Sequence, residues 1–402
     1  MTGIGAVRSR LAAWSRAFAH HVRALRDEPL LILWTLFVVA DPIYLFKSGL
    51  PQPADLVILI IAPLALSNWN RRLCGFSLGA MHALCAFLGY VLLSSLVWSL
   101  VADSWSLDYK HGFLSAPLFY VFDVVVFLTI LVLYERFGER FVWLTVRLIL
   151  ISVCFQVAMT TIYTRSGTVR VYGLFNNSNQ LAYYSILVAS ILLLGQHRAR
   201  LSPIAVIVGE LCCCYLILLS ASRAGLASFA ILMVVAVLNR FRTLIAIGAI
   251  ATFLGFIFNP FESAIERSRT RLATDKSLSF IEERGYDRIA RHPEYLGLGA
   301  GEGQYSRFEF TSAIKTHEIH SSIGTLVFCY GVVGFGVFVV FLQRVVRGAS
   351  VRRILLLLPP AAYGLTHQGL RFTPFWVLLA LVITLNDLDA REPRTQQPEK
   401  LT

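Results

Sequence analysis

The chain has 402 residues, 56% of them hydrophobic and 15% charged, and a formal net charge of +12. That composition excludes an ordinary soluble domain, and the recurrence of long apolar runs makes the bilayer the solvent. The basic balance would suit nucleic acid, but the placement of the charges argues against that partner and for membrane topology.

A membrane span needs ~20 apolar residues, fewer where neighbouring helices shield it. Predicted spans lie at 28–47, 51–67, 79–101, 113–134, 141–163, 178–195, 203–221, 224–239, 243–259, 319–342, 353–366 and 374–386. The second and the last two are short. The expected fold is therefore an all-α integral membrane protein of about 12 transmembrane helices. With both termini inside, the basic N-terminus 1–27 carries Arg8, Arg10, Arg16, Arg23 and Arg26. Arg71 and Arg72, Arg136 and Arg140, Arg198 and Arg200, Arg240 and Arg242, and Arg344 to Arg353 fall on the same side. The outer connections are poor in positive charge, and 102–112 carries Asp103 and Asp108. This is the positive-inside asymmetry, which fixes the orientation.

The domain plan follows from that count. Residues 1–27 form a cytoplasmic basic segment, 28–259 the first nine spans, and 260–318 one large outer loop with short helices. Residues 319–386 hold the last three spans, and 387–402 a polar cytoplasmic tail. All seven cysteines lie in or beside apolar runs and read as small buried hydrophobes. No metal-spaced carboxylate or histidine cluster falls on the outer side, and the stretch LGLGAGEG (296–303) follows no strand. Neither a metal, a cofactor nor a nucleotide is expected.

Several cations on the outer side have no topological reason to be there. Arg165 and Arg170 lie in TRSGTVRVYGLFNNSNQ, Arg223 in SASRAG, Arg284, Arg288 and Arg291 in ERGYDRIARHP, and Arg371 in THQGLRFTP. An ionisable group at membrane depth costs about 3 kcal/mol on insertion scales unless it is paired. Guanidinium groups converging at a membrane surface suit an anionic, phosphate-bearing ligand. Each has a plain structural alternative. Arg223 can snorkel or pair with Glu210 or Glu283, and Arg284 to Arg291 can be one solvated helix face beside Glu282, Glu283 and Asp287. The segment GLFNNSNQ is turn chemistry, with Asn177 or Ser178 as the N-cap of the following helix.

The tenth predicted span opens with EIHSSIGTLVFCYGVVGFG (318–336). On one continuous helix His320, Gly324, Gly331 and Gly334 would fall within an arc of roughly 80°. The glycines would then let a neighbouring helix approach closely, with His320 capping the stripe. A histidine at a helix end has its own plain alternative, a polar cap.

His320-Ser321, nine residues, Gly331, two residues, Gly334 resembles the histidine–glycine signature of the bacterial O-antigen ligase and Wzy-type polysaccharide polymerase superfamily. RVYGLFNNSNQLAY (170–183) is similar to that family's R-x-x-G-x-F-x-N-P-N segment, with Ser178 in place of the proline. SASRAG (220–225) resembles its Ser-Arg-Gly turn, and RIARHPEYLGLGAGEG (288–303) the stretch before its histidine helix. The four occur in family order.

The resemblance implies a multi-pass protein of the bacterial inner membrane, with its outer side facing the periplasm. It implies transfer of a glycan from undecaprenyl diphosphate to a sugar hydroxyl, with inversion and without metal. It places the acceptor-activating role on His320 and diphosphate binding on Arg223, on Arg288 or Arg284, and on Arg170. The implied partners are the undecaprenyl-diphosphate-linked glycan donor, a lipid-linked or lipid A-core glycan acceptor, the lipid bilayer and a chain-length regulator. A polymerase of exopolysaccharide or O-antigen repeats is the favoured reading, and a ligase acting on lipid A-core the alternative. A transporter of an anionic solute is the remote one.

Overall fold

The computed structural model describes residues 28–47, 49–67, 73–108, 112–163, 171–239, 265–266, 269, 280–308 and 318–392. Among these there are helices and connecting turns and no strand. In chain order the helices are α1 (Pro29–Ala40), α2 (Pro53–Ser67), α3 (Gly75–Val101), α4 (Ser115–Phe137) and α5 (Glu139–Tyr163). Next come α6 (Ser178–Gly195), α7 (Pro203–Ser220), α8 (Arg223–Asn239), α9 (Phe280–Arg284) and α10 (Asp287–Arg291). The last are α11 (Ser322–Cys329), α12 (Gly331–Val345), α13 (Val351–Leu355), α14 (Leu358–Gly364) and α15 (Thr373–Arg391).

Six of these, α3, α4, α5, α6, α7 and α15, are long and apolar enough to cross a membrane, so the chain is a multi-pass membrane protein. Helices α1, α2, α8 and α12 are apolar but shorter, at 12, 15, 17 and 15 residues. The expected spans 319–342 and 353–366 are not single helices: each is divided, into α11 and α12 and into α13 and α14. The ninth expected span, 243–259, lies outside the described residues, as do Arg170, the segment 1–27 and the tail from 393.

The helix starts follow local chemistry. Asn177 caps α6, its Oδ1 accepting the Gln180 N–H at 2.9 Å. Ser202 caps α7, its Oγ accepting the Ala205 N–H at 3.2 Å, and Pro203 takes the first turn. Helix α7 ends at Ala221 in the left-handed conformation (φ 47°), and Ser222 Oγ accepts the Gly225 N–H at 3.3 Å to start α8. The SASRAG turn is thus a helix stop and a helix start within two residues.

Burial sorts the bundle. Helix α6 is buried on every face from Leu181 to Gly195, and α15 from Trp376 to Asp387. A helix apolar all round belongs at the centre. By contrast α3 leaves Leu92, Leu93, Leu96 and Leu100 exposed. Apolar side chains both inside and outside are what a lipid solvent permits. Two buried indoles find acceptors, one across helices and one in the turn before its own helix: Trp34 Nε1 donates to Thr145 Oγ1 at 2.8 Å, and Trp376 Nε1 to the Leu370 carbonyl at 2.6 Å.

The division between α11 and α12 corrects the expected stripe. His320 precedes α11, whose cap is Ser321, with Ser321 Oγ accepting the Gly324 N–H at 3.0 Å. Gly331 has φ 66°, a value that ends a right-handed helix and that glycine adopts without penalty. His320, Gly324, Gly331 and Gly334 therefore share no continuous helical arc. Backbone groups freed by the break are taken by the glycine-rich segment. The Ala300 and Gly301 N–H groups donate to the Phe328 and Cys329 carbonyls, both at 2.8 Å, and the Val332 N–H donates to the Leu296 carbonyl at 2.8 Å. Non-helical backbone inside a membrane bundle persists only where such partners exist. A Cβ at Gly331 would collide with the Gly297 carbonyl. At Gly324 it would meet Ile319 Cγ2 at 2.6 Å, and at Gly334 Tyr90 Cε1 at 2.8 Å. Close approach survives, with a different partner for each glycine.

Candidate functional site

Residues 299–303 are buried in the bundle. Tyr90 and Trp98 of α3 hold the segment, donating to the Leu298 and Gly299 carbonyls at 2.8 and 3.2 Å. Arg307 donates to the Ala300 carbonyl and lies 4.5 Å from the Trp98 ring centroid and 4.6 Å from that of Phe308. Burial pushes the Arg307 guanidinium below its ordinary pKa, and these aromatic faces offset part of that cost.

This packing carries Glu302 into the interior, where it is 0% exposed. Glu302 Oε2 accepts the Tyr120 hydroxyl at 3.0 Å and the Tyr330 hydroxyl at 2.6 Å. Oε1 forms an ion pair with Arg371 Nη2. Arg371 Nη1 also lies 3.4 Å from Glu318 Oε2, and its guanidinium sits 4.8 Å from the Phe119 ring centroid. Arg371, an outer cation without a topological reason, thus has two carboxylate partners.

Beside this network is a cavity of about 370 Å³. His320, Arg284, Arg371 and His367 line it, together with Glu318, Asp55 and Asp123. Local bonding explains why His320 and Arg284 meet. The His320 N–H donates to the Arg284 carbonyl at 3.1 Å, which docks the end of α9 on the chain entering α11. The Tyr286 hydroxyl lies 2.6 Å from Ser321 Oγ and donates to the Leu365 carbonyl at 2.7 Å. Ser322 then fixes the next turn: its N–H and Oγ each lie 3.1 Å from the His367 carbonyl, and its Oγ accepts the Gly369 N–H at 2.8 Å. Arg284 Nη1 is 3.4 Å from His367 Nδ1, and Nη2 is 3.7 Å from Glu283 Oε1.

The segment after the expected Arg170 joins the same wall. Tyr363 stacks on both Tyr183 and His367, each pair with centroids 4.7 Å apart, and its hydroxyl donates to the Asn179 carbonyl at 2.7 Å. Asn177, Asn179 and Gln180 line the cavity. Two of the four sequence motifs therefore reach one chamber, the asparagine turn and the histidine, and Arg284 of α9 joins them there.

The remaining expected cations stand elsewhere. Arg223 is the first residue of α8 and is not part of the cavity lining. Its suggested partner Glu210 is 1% exposed in the middle of α7, and neither carboxylate oxygen has a hydrogen-bond partner among the described residues. Arg288 is 7% exposed, with its guanidinium 5.6 Å from the Tyr305 ring centroid, also off the cavity. Arg291 pairs with Asp287 at 3.2 Å, one turn away on the same helix.

Sequence reasoning missed Glu302, Glu318, His367, Asp55 and Asp123. Asp123 had a signal, a single acid inside the apolar run SAPLFYVFDVVVF. Glu302 had none, since its glycine-rich surroundings read as loop. No family model matches the chain, and no curated protein matches it.

Proposed function

We propose that this chain is an inverting membrane glycosyltransferase that moves a glycan from undecaprenyl diphosphate to a sugar hydroxyl at the outer face of the bacterial inner membrane. The observation that carries the reading is the meeting of His320 and Arg284 on one cavity, linked by the His320 N–H to the Arg284 carbonyl. In this reading the diphosphate leaves as an anion, and what it needs is charge stabilisation rather than a proton. Arg284 supplies that charge in a form that is never deprotonated. His320 accepts the proton of the attacking hydroxyl as the new glycosidic C–O bond forms and the bond to the diphosphate breaks. Attack from the side opposite the diphosphate inverts the anomeric carbon. Of the two arginines left open by the motif, Arg284 takes the diphosphate and Arg288 a packing role against Tyr305.

The acceptor is a second lipid-linked repeat in the favoured polymerase reading and lipid A-core in the ligase alternative. Purified protein in lipid nanodiscs, given a defined undecaprenyl-diphosphate glycan alone or with lipid A-core, tests both. Chain growth on donor alone supports a polymerase, and product only with lipid A-core supports a ligase. His320→Ala lowers transfer by about 10²–10⁴-fold while the nanodisc preparation keeps its unfolding midpoint. Near-normal transfer by that variant removes His320 from the chemistry.

A further inference from the structure

Asp123 stands in the N-terminal half of α4, in an otherwise apolar stretch, and is 1% exposed. Its Oδ2 has no hydrogen-bond partner among the described residues. Leaving a buried carboxylate oxygen without a donor costs more than leaving a neutral acceptor so, and a membrane interior offers little else to satisfy it. Asp123 also lines the cavity, so the donor that completes it is one the cavity admits. Asp55 of α2 lines the same cavity, and its Oδ2 accepts the Gln52 N–H at 2.7 Å, which holds the carboxylate in place. Gln52 is anchored in turn, its Oε1 accepting the Phe46 N–H at 3.0 Å and its Nε2 donating to the Leu50 carbonyl at 2.9 Å.

We infer that Asp123, with Asp55, forms a separate subsite in this cavity that accepts hydrogen bonds from the hydroxyl groups of a sugar. The chemistry of the lining divides the ligand between its two kinds of group. Carboxylates accept hydrogen bonds and repel phosphate, whereas guanidinium groups only donate and attract it. A sugar hydroxyl offers the donor that Asp123 Oδ2 lacks. Asp123 and Asp55 come from α4 and α2, while Arg284, His320 and Glu318 come from the α9–α11 region and Arg371, paired with Glu302 and Glu318, from the turn before α15, so the two acceptors and the Arg284–His320 pair are held by separate parts of the fold. A glycan esterified to a diphosphate is one molecule with a hydroxyl-rich part and an anionic part. The subsite rests on the glycosyltransferase reading only for that pairing of the two parts; the need of Asp123 for a donor is independent of it.

The test measures binding of two lipids to the full-length protein in nanodiscs: undecaprenyl diphosphate, and undecaprenyl diphosphate bearing one N-acetylhexosamine. The readout is the ratio of their dissociation constants in wild type, Asp123→Asn and Asp55→Asn. Each substitution keeps the side-chain shape, and unfolding midpoints establish that the variants fold. Asp123→Asn lowers the preference for the sugar-bearing lipid about tenfold, and Asp55→Asn lowers it less, because Asn still accepts the Gln52 N–H. Equal losses for both lipids, or no loss for either, overturn the subsite. If wild type binds neither lipid, the donor reading fails by itself, and a second readout decides the subsite. A hydrophobic carbodiimide is used to modify the protein with and without a mixture of free disaccharides, and Asp123 modification is read by peptide mass spectrometry. Protection by the disaccharides but not by inorganic pyrophosphate supports the subsite, and modification that ignores the disaccharides overturns it.

Discussion

At the C-terminal end of α15, Arg391 Nε lies 2.6 Å from Asp387 Oδ2 and Nη2 lies 3.2 Å from Glu135 Oε2. Arg198 and Arg353 share Asp389, each at 2.7 Å, and Arg198 also pairs with Glu392. These contacts tie α4, α13, α15 and the α6–α7 turn into one charged knot, with the Tyr134 hydroxyl donating to Asp387 at 2.6 Å. At the N-terminal end of the same helix, Arg371 is held by Glu302 and Glu318, but Arg284, His320 and His367 stand with it around a cavity of about 370 Å³. Both ends are rich in arginine. What separates them is not charge but space: both ends pair guanidinium groups with carboxylates, but only at the N-terminal end do Arg284 and Arg371 also face a chamber. Arginine count therefore marks topology, and only arginine beside a cavity marks a site.

The largest effect expected from this contrast comes from Glu302, which belongs to the closed kind although it sits at the open end. Glu302→Ala leaves two tyrosine hydroxyls and a guanidinium without their buried acceptor. The expected loss is about 3–5 kcal/mol, the range for breaking one member of a buried ion pair. Thermal unfolding in detergent reads it, and a wild-type midpoint would show that Arg371 and the tyrosines are held by something else. Next comes a crossed pair of variants. Arg284→Ala is expected to cut transfer by about 10²-fold or more at nearly unchanged stability, as for loss of a charge that stabilises a leaving group. Arg391→Ala is expected to do the reverse, lowering stability by about 1 kcal/mol with transfer retained. If both variants lose activity in step with stability, the two ends do not differ in kind.

Most of the helices were legible in the sequence because their ends carry local signals. Asn177, Ser202 with Pro203, and the SASRAG turn act over a few residues, so their reading needs no tertiary information. The break at Tyr330–Gly331 was not legible. The run SIGTLVFCYGVVGFG carries no charge and no break signal stronger than its glycines, and the groups that satisfy the broken backbone lie at 296–301, in a separate segment upstream. The same distant segment decides the arginines. Arg371 was visible as a misplaced charge, but its explanation, Glu302, arrives from a glycine-rich stretch whose depth only the packing reveals. For Arg284 and Arg288 the motif left a choice. Four residues apart, they end on different neighbours because Gly285, at φ 75°, separates α9 from α10.

The smallest expected effect lies in the charged knot. Arg198 donates to Glu392, and that hydrogen bond, more than the charge attraction alone, pulls the Glu392 carboxyl below its ordinary pKa. A carboxyl depressed in the folded state binds its proton more weakly there than in the unfolded chain. The pair therefore contributes its stability above the ordinary glutamate range, near pH 4.3, and loses it as pH falls through the depressed value. Because the Glu392 side chain is 44% exposed, solvent and salt screen much of the interaction. Unfolding midpoints of wild type and Glu392→Gln should differ slightly at pH 7 and converge on acidification. Added salt at pH 7 should also narrow the gap. A gap that persists at low pH would mean that Glu392 acts through packing. The closed end of the molecule would then owe part of its rigidity to contacts that carry no charge.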